Sequence, residues 1–219
     1  MNALSAPDGY RLWAPTYEAE TAITFIEDGL VAYLTPPLSG RRLLDAGCGT
    51  GRRLKDSGAA FALGVDISPE MLAIGKPEHG VVGDIRALPV APGTFHVVWC
   101  RLAIGHVEEA ATVYAELARA CAPGGAVVVT DFHADAIAAG HRRSFRDGNG
   151  DRQEVVHWVH EADEQIGLAA AAGLTLIDRR DGAIGPEVRP FYERAGRAVA
   201  HDEHLGLNVV LALSFRREG

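Results

Sequence analysis

The sequence predicts a doubly wound α/β fold built on a mostly parallel sheet. Short apolar segments that read as strands alternate between residues 43 and 132 with segments of helical periodicity. Segment 94–100 is almost continuously apolar, as expected for a parallel strand covered on both faces. Alternation of this kind produces a parallel sheet with helices on both sides, and ligands bind beyond the carboxyl ends of its strands.

Length, charge and cysteine content narrow the class of protein. The 219 residues are enough for one domain with a full core, and the formal net charge of −8 argues against nucleic acid as a partner. Cys48, Cys100 and Cys121 form neither a disulfide framework nor a metal-binding spacing, which favours a reducing, cytoplasmic compartment. We expect no metal and no membrane association, because no apolar segment reaches the length of a membrane span.

The individual elements follow from periodicity and from helix start and stop signals. The aromatic-rich segment 10–18 predicts a loop or short turn, and residues 17–34 predict a helix that ends before Pro36. Further predicted helices span residues 52–57, 69–74, 110–121, 161–172 and 190–200. Predicted strands span residues 43–45, 62–66, 80–83, 94–100, 126–132, 174–179 and 208–216, with a further candidate at 155–159.

A glycine-rich turn follows the first predicted strand. Gly47, Gly49 and Gly51 occupy alternate positions, which lets a ligand approach the backbone closely. A dinucleotide fingerprint would need a third glycine where Arg52 stands, and the carboxylate of Asp45 would repel a pyrophosphate. The turn therefore predicts a cofactor pocket for a ligand that carries positive charge.

Two more acidic residues end strands that are predicted to lie beside this turn. Asp66 follows an apolar strand at a place suited to binding a ribose diol, and Asp84 stands next to the apolar Ile85, as an adenine edge and face would require. Together, D-x-G-x-G-x-G at 45–51, G-V-D-I-S-P-E-M-L at 64–72 and G-D-I-R-A-L-P at 83–89 resemble the class I S-adenosylmethionine (SAM) methyltransferases. The resemblance covers residues 40–132 closely.

The resemblance implies a Rossmann-like, seven-stranded, mostly parallel sheet whose last strand is antiparallel. It implies a single domain over residues 1–219, with an N-terminal lid or helix over 1–39 and a substrate cap inserted after the fifth strand over 133–160. A tyrosine of the N-terminal segment lies near the cofactor in such proteins, which suggests Tyr17. The alternative is that Trp13 and Tyr17 only pack the N-terminal helix onto the sheet.

The resemblance also assigns expected roles around SAM. Asp45 and the three glycines would surround the methionine portion, with the acid facing its ammonium group. Asp66 would bind the ribose, with Ile67 against the adenine. The remaining cofactor-binding candidates are Asp84 and Ile85 at the adenine ring, and Cys100 and Arg101 through their backbone.

Two histidines are candidate catalytic residues. His106 follows the fourth strand and His133 follows the fifth, so both face the ligand edge of the sheet, and imidazole titrates in a range useful for proton transfer. The alternative for His106 is a helix cap. We interpret His141, His157 and His160 as surface or packing residues. The basic cluster of Arg142, Arg143 and Arg146 is interpreted as a solvated face, and the alternative is contact with an acidic substrate.

The functional hypothesis is an enzyme that transfers a methyl group from SAM to the oxygen, nitrogen or carbon of a small molecule. The sequence is similar to ubiquinone/menaquinone and malonyl-carrier-protein methyltransferases and to tailoring enzymes of natural-product pathways. An alternative is a non-catalytic regulatory subunit that binds SAM or S-adenosylhomocysteine (SAH). A nicotinamide-dependent oxidoreductase is disfavoured by Arg52. The acceptor and the oligomeric state stay open at this point.

Overall fold

A computed structural model describes residues 3–219 and contains one large sheet. Its strands are β1 Arg42–Ala46, β2 Phe61–Asp66, β3 Gly80–Val82, β4 Phe95–Arg101, β5 Cys121–Phe132, β8 Leu174–Ala183 and β9 Asn208–Arg217, and a separate hairpin is formed by β6 Ser144–Arg146 and β7 Arg152–Glu154. The seven strands of the sheet lie in the order β3-β2-β1-β4-β5-β9-β8. Strands β1 to β5 are parallel, and β9 is antiparallel to both β5 and β8. This confirms the predicted Rossmann-like architecture.

Helices cover both faces of the sheet. They are α1 Ala6–Trp13, α2 Ala22–Leu34, α3 Arg52–Lys55, α4 Pro69–Gly75, α5 Ala110–Ala120, α6 Ala134–Ala138, α7 Ala162–Ala171, α8 Arg189–Arg194 and α9 Ala198–His204. Side chains alternate between the two faces of each strand, so Leu44 packs with the cluster that holds Tyr114 of α5, whereas Leu43 packs with Val31 of α2. The central strands are therefore buried on both sides, and their carboxyl ends are held in fixed positions at one edge.

The N-terminal segment departs from the prediction. Residues 6–13 form α1, followed by a 3₁₀ turn at Ala14–Thr16, where we expected a loop or short turn. Ser5 caps α1 by accepting the backbone N–H of Asp8. Helix α2 begins at Ala22 and not at residue 17, as we had predicted. Helix α2 begins there because the Thr21 side chain caps it by accepting the backbone N–H of Thr24 at 3.2 Å. The ring of Trp13 at the end of α1 stacks on that of Phe145 at 4.7 Å.

Three later elements also differ from the prediction. The expected strand at 155–159 is wrong: the insertion folds as the hairpin of β6 and β7, joined by a turn at residues 147–151. The single helix expected at 190–200 is divided into α8 and α9, because the chain turns at Gly196 with a φ of 67°. Helix α5 ends at Ala120, before the predicted Cys121.

The N-terminal segment and the insertion pack on each other above the carboxyl ends of the strands. Leu4 forms a β-bridge with Val155, and a Cβ on Gly9 would clash with the Val155 side chain at 2.7 Å. Thr16 also donates a hydrogen bond to the carbonyl of Arg146 at 3.3 Å. These contacts join two segments that are far apart in the sequence, the N-terminal segment with α1 and the insertion after β5, and we call the two together the cover.

Among residues 3–219, no helix combines the length and the apolar character that a membrane span requires. Over the same part of the chain, no three His, Cys, Asp or Glu side chains come close enough to hold a metal ion.

Candidate functional site

A cavity of about 520 Å³ opens at the carboxyl ends of β1, β2 and β4. We call it the glycine-turn cavity; of the predicted site residues, its walls contain Tyr17, Gly47, Gly49, Asp66, Ile67, Asp84, Ile85, Arg101 and His106. Four other predicted site residues do not line it: Asp45, Gly51, Cys100 and His133. The cover contributes to the walls as well, through Ala3, Pro7 and Tyr10.

Side chains from other elements lie against the glycine turn and leave little room for a Cβ there. Gly47 has a φ of 82°, and a Cβ built there would lie 2.5 Å from the Cβ of Ala103. Gly49 has a φ of 59°, and its Cβ would lie 3.2 Å from the Met71 Cε. Both positions therefore require glycine for conformational and steric reasons, and the turn presents backbone to the cavity.

Asp66 anchors the glycine turn to β2. Its carboxylate accepts the N–H of Gly49 at 2.7 Å and the N–H of Ser68 at 2.9 Å. Burial raises the pKa of Asp66, and the two amide donors oppose that shift. A carboxylate has about four acceptor positions, so two remain for hydroxyl groups of a ligand in the cavity.

Asp84 and two isoleucines form the opposite wall. The Arg86 guanidinium binds both carboxylate oxygens of Asp84, at 3.0 and 2.5 Å, and these bonds lower the pKa of Asp84. The side chains of Ile67 and Ile85 line the same wall. Ile67 is 41% exposed, which leaves an apolar surface available to a flat ring.

Asp45 is buried behind the turn rather than in the cavity wall. The residue is 2% exposed, and its Oδ1 has no hydrogen-bond partner within residues 3–219. Burial raises the pKa of Asp45 to about 6, although Arg101 and Arg53 act in the opposite direction. This carboxylate is thus an uncompensated acceptor close to the cavity.

A buried ion pair ties α2 to the end of β4. The Arg101 guanidinium donates to both oxygens of Glu27, at 2.8 and 2.6 Å, and it also contacts Asp28. Thr130 donates its hydroxyl to Glu27 at 2.8 Å and Arg53 donates through Nη2 at 3.1 Å, so the Glu27 carboxylate accepts four hydrogen bonds in a position with no exposure. The sequence suggested only a backbone role for Arg101, whereas its side chain holds the N-terminal helix against the site.

His106 is joined to the cover through Tyr10. Its Nε2 lies 2.9 Å from the Tyr10 hydroxyl, and its Nδ1 lies 3.1 Å from the Val156 carbonyl. A carbonyl can only accept, so Nδ1 carries the proton and Nε2 accepts from Tyr10. Burial, with a contribution from the charge of Arg143, lowers the pKa of His106 well below its usual value, and the ring is therefore neutral at pH 7.

His133 faces away from this arrangement. Its Nδ1 accepts the backbone N–H of Asp135 at 3.1 Å, which makes it the N-cap of α6, and its Nε2 lies 3.5 Å from Asp181. The alternative that His106 caps the next helix is wrong, since α5 begins at Ala110 with Glu109 as its N-cap residue, whereas His133 caps α6. Its side chain lines neither of the two cavities that we describe.

The remaining histidines separate into two groups. His157 lies 3.1 Å from the buried Asp131 carboxylate, and His160 lies 2.8 Å from the Val107 carbonyl, so both serve packing as we expected. His141 instead lines a second cavity, described next.

The second cavity, of about 600 Å³, shares Tyr17 and Leu102 with the first. We call it the basic cavity; its charged walls consist of Glu20, Arg52, Arg142, Arg143, Arg194 and Arg197, with His141 and His204. Sequence reasoning interpreted Arg142 and Arg143 as a solvated face. The structure instead buries Arg143, which is 7% exposed and donates through Nη2 to the Leu102 carbonyl at 2.7 Å.

Leu102 and Tyr10 are wall residues that sequence reasoning missed. Leu102 has a φ of 50°, which is unusual for a residue with a Cβ, and its N–H bonds to Thr130 while its carbonyl bonds to Arg143. A signal for Leu102 was its place directly after Arg101. Tyr10 gave no local signal, since its partner His106 is 96 positions away.

Comparison with known proteins agrees with this geometry. Residues 44–129 match the family model described as a methyltransferase domain. A malonyl-acyl-carrier-protein O-methyltransferase from Dechloromonas aromatica is 31% identical over 170 residues, covering 75% of this chain and 63% of the relative. A ubiquinone biosynthesis O-methyltransferase from Bordetella bronchiseptica is 35% identical over 128 residues, covering 52% of this chain and 53% of the relative.

A solved structure extends the likeness to the whole fold. The SAM-dependent methyltransferase from Mesorhizobium loti superimposes with a TM-score of 0.67 at 21% identity, covering 88% of this chain and 98% of the other. The chain spans only 46% to 63% of the length of the first three curated relatives that it matches. Their activities and substrates therefore inform a proposal for this chain.

Proposed function

Since this chain carries a class I SAM-dependent methyltransferase domain, we propose that it transfers a methyl group from SAM to a small-molecule acceptor. The acceptor atom is an oxygen, a nitrogen or a carbon, and a biosynthetic or natural-product tailoring role in the cytoplasm fits this activity. The names of the two curated relatives, one for a malonyl group on an acyl carrier protein and one for ubiquinone biosynthesis, support an acceptor from metabolism.

The observation that carries this proposal is the arrangement of Asp66 in the glycine-turn cavity. Two of its acceptor positions hold the turn at Gly49 and Ser68, and the others are available to a ribose diol. The neighbouring wall of Ile67 and Ile85, with Asp84 at its end, fits the face and edge of an adenine.

The methionine portion would lie along the glycine turn. Gly47 and Gly49 expose backbone there, and the unpartnered Oδ1 of Asp45 would act on the ammonium group from behind the turn. Gly51 and Cys100 do not line the cavity, so we propose that they shape the turn and the strand end without contacting the cofactor.

The chain's own contribution to the reaction is alignment and exclusion of water. SAM supplies an activated methyl group, and in-line transfer needs the acceptor to be held in position, which alone contributes roughly 7–11 kcal/mol in favourable cases. The cover of α1 and the insertion closes the cavity, and Tyr17 stands where the two cavities meet. Where the acceptor keeps a proton at neutral pH, the neutral His106 would receive it through the Tyr10 hydroxyl.

Calorimetric titration with SAH tests the cofactor assignment. We expect Asp66→Asn to weaken SAH binding by about ten- to hundredfold, because a charge-assisted bond to the ribose is lost. Asp56→Asn is the matched control, since Asp56 is exposed at the end of α3 and should bind SAH like the unmodified protein. An unchanged affinity of Asp66→Asn, or no SAH binding by the unmodified chain, would contradict the proposal.

The regulatory-subunit alternative makes a different prediction. A methyl-transfer assay with labelled SAM and a panel of small acceptors should show turnover if the chain is an enzyme. Tight SAH binding with no labelled product across the panel, together with a stable protein partner in pull-downs, would favour the non-catalytic alternative.

A further inference from the structure

Buried polar atoms in the basic cavity lack hydrogen-bond partners. Within residues 3–219, Arg143 has none for Nε and Nη1, His141 has none for Nε2, and His204 has none for Nδ1. Buried polar atoms in proteins are bonded in roughly nine cases of ten, so four such atoms around one cavity are unusual. They indicate a site that a ligand completes.

The charge of the walls indicates what kind of ligand this is. Five arginines line the basic cavity, namely Arg52, Arg142, Arg143, Arg194 and Arg197, against a single acid, Glu20. The chain as a whole carries a formal net charge of −8, so this concentration of positive charge opposes the overall composition. A cavity lined by charge of one sign attracts a small molecule of the opposite sign.

Arg143 is the centre of this charge. Its guanidinium lies 5.2 Å from the centroid of the Phe132 ring, and Nη2 is fixed by the Leu102 carbonyl. The two unpartnered donor atoms belong to a residue that is 7% exposed. Nε and Nη1 of this guanidinium can each still donate a charge-assisted hydrogen bond to an oxygen of a carboxylate or phosphate.

The rest of the wall combines aromatic and aliphatic side chains with the hydroxyl groups of Thr16, Thr21, Thr24 and Ser144. Trp13, Phe132, Phe191 and Tyr192 all line the basic cavity. Aromatic side chains bind flat or apolar bodies by stacking, which a purely ionic site would not require. The cavity is therefore suited to a molecule that has an anionic group and an apolar part.

We propose that the basic cavity is the acceptor site and that the acceptor is a small anion, with a carboxylate or phosphate on Arg143 and an apolar or aromatic body against Phe191 and Tyr192. The assignment as acceptor site rests on the methyltransferase function proposed above. Its geometric support is the wall that Tyr17 and Leu102 share between the two cavities, which brings an occupant of one close to an occupant of the other. The sequence predicted a solvated face for Arg142, Arg143 and Arg146, with contact to an acidic substrate as the alternative; Arg142 and Arg146 are exposed, whereas Arg143 is buried.

Matched probe pairs test the chemistry of the basic cavity. We would measure binding of 2-naphthoate, 1-naphthyl phosphate and the neutral 2-naphthamide by calorimetry, each with and without saturating SAH. We expect at least one anion to bind at least about tenfold more tightly than the amide, since a charged hydrogen bond is worth roughly 1.5–3 kcal/mol. The stronger of the two anions identifies the preferred group.

Variants locate the probe. Arg143→Gln should weaken binding of the preferred anion by about ten- to hundredfold and leave SAH affinity unchanged. Arg197→Gln, an exposed position in the same wall, should reduce anion binding by a smaller factor and guards against misfolding of the Arg143 variant. The control is Arg146→Gln, an exposed arginine of the same segment outside the cavity wall, which should change neither affinity.

The outcomes separate this inference from the proposed function. Anions that bind no better than the amide, anion binding that is unaffected by both Arg143→Gln and Arg197→Gln, or loss of anion binding when SAH is added would each overturn the anionic site. If the chain binds the anions through Arg143 but does not bind SAH, the anion site stands and the methyltransferase function fails.

Discussion

The two cavities share Tyr17 and Leu102 as wall residues, but they differ in whether their charged side chains have hydrogen-bond partners within the protein. Around the glycine-turn cavity, the chain supplies partners for most charged groups: amides for Asp66, Arg86 for Asp84 and Glu27 for Arg101. In the basic cavity, Arg143 keeps two donor atoms without partners within residues 3–219.

The difference indicates two strategies of binding. A wall whose groups already bond to one another is preorganised, so a ligand adds bonds without first reordering the chain. Buried donors without partners lower the stability of the empty protein, and a ligand of opposite charge restores the missing hydrogen bonds. The first strategy suits a cofactor that is the same in every turnover, and the second suits recognition of one acceptor.

Replacing the two buried arginines is the strongest test of this contrast. Arg101→Met removes two hydrogen bonds from the buried Glu27 carboxylate and leaves those from Arg53 and Thr130, and we expect a loss of up to about 3–5 kcal/mol in unfolding free energy. Arg143→Met removes a guanidinium that has a single hydrogen bond, so we expect less than about half that loss. Urea denaturation followed by circular dichroism measures both.

The control is Arg152→Met, which removes only an exposed ion pair with Glu154 and should cost less than about 1 kcal/mol. Equal losses for the Arg101 and Arg143 variants would show that the two cavities do not differ in the way described.

Asp45 differs from Asp66 and Asp84 because its buried Oδ1 has no hydrogen-bond partner within residues 3–219. Its replacement by a neutral residue should therefore stabilise the protein. The pKa of Asp45 is raised to about 6 in the folded chain, against about 3.9 when unfolded, so the folded state binds more protons between these values. The higher pKa of Asp45 in the folded chain therefore contributes to the free energy of unfolding in full below about pH 4, and this contribution is lost as the pH rises through about 6. We expect Asp45→Asn to be about 1–3 kcal/mol more stable than the unmodified protein at pH 7.5.

Urea titrations at pH 4.5 and 7.5 check the sign, because the advantage of Asp45→Asn should shrink at the lower pH. The same variant should bind SAH more weakly at pH 7.5, if the Asp45 carboxylate acts on the ammonium group. A variant that loses stability at pH 7.5 would show that the carboxylate is compensated.

Tyr10→Phe should have the smallest effect. It removes one hydrogen bond to His106, which we expect to cost about 0.5–1.5 kcal/mol in unfolding free energy. The lost bond favoured the neutral imidazole, so the pKa of His106 should rise without reaching its usual range, because burial persists. Histidine ¹⁵N chemical shifts over a pH series measure the change.

Tyr33→Phe is the control, since Tyr33 is 66% exposed and bonds only to an exposed arginine, Arg180. If the shifts of His106 are the same in Tyr10→Phe and in the unmodified protein, the hydroxyl does not bond to Nε2.

Much of the glycine-turn cavity was predictable because its residues lie at strand ends. Asp66 and Asp84 follow neighbouring strands, and parallel strands deliver their carboxyl ends to one edge, so a linear pattern implies a spatial cluster. The Tyr10–His106 pair and the burial of Arg143 were not predictable in this way. They depend on a helix at residues 6–13 and on an insertion, whose mutual packing leaves no periodic pattern in either segment.

The sequence by itself determined the sheet, the order of its motifs and the acids that surround one cavity, because strand periodicity and turn glycines act over short distances along the chain. Only the tertiary structure decided that His133 caps a helix, that His106 bonds to Tyr10 and that Arg143 is buried with open donors. His106 and Arg143 bond to partners 96 and 41 positions away along the chain, and the cap of His133 depends on a helix that begins at the next residue. In each case the surroundings of a group decide its charge, its partners and its exposure.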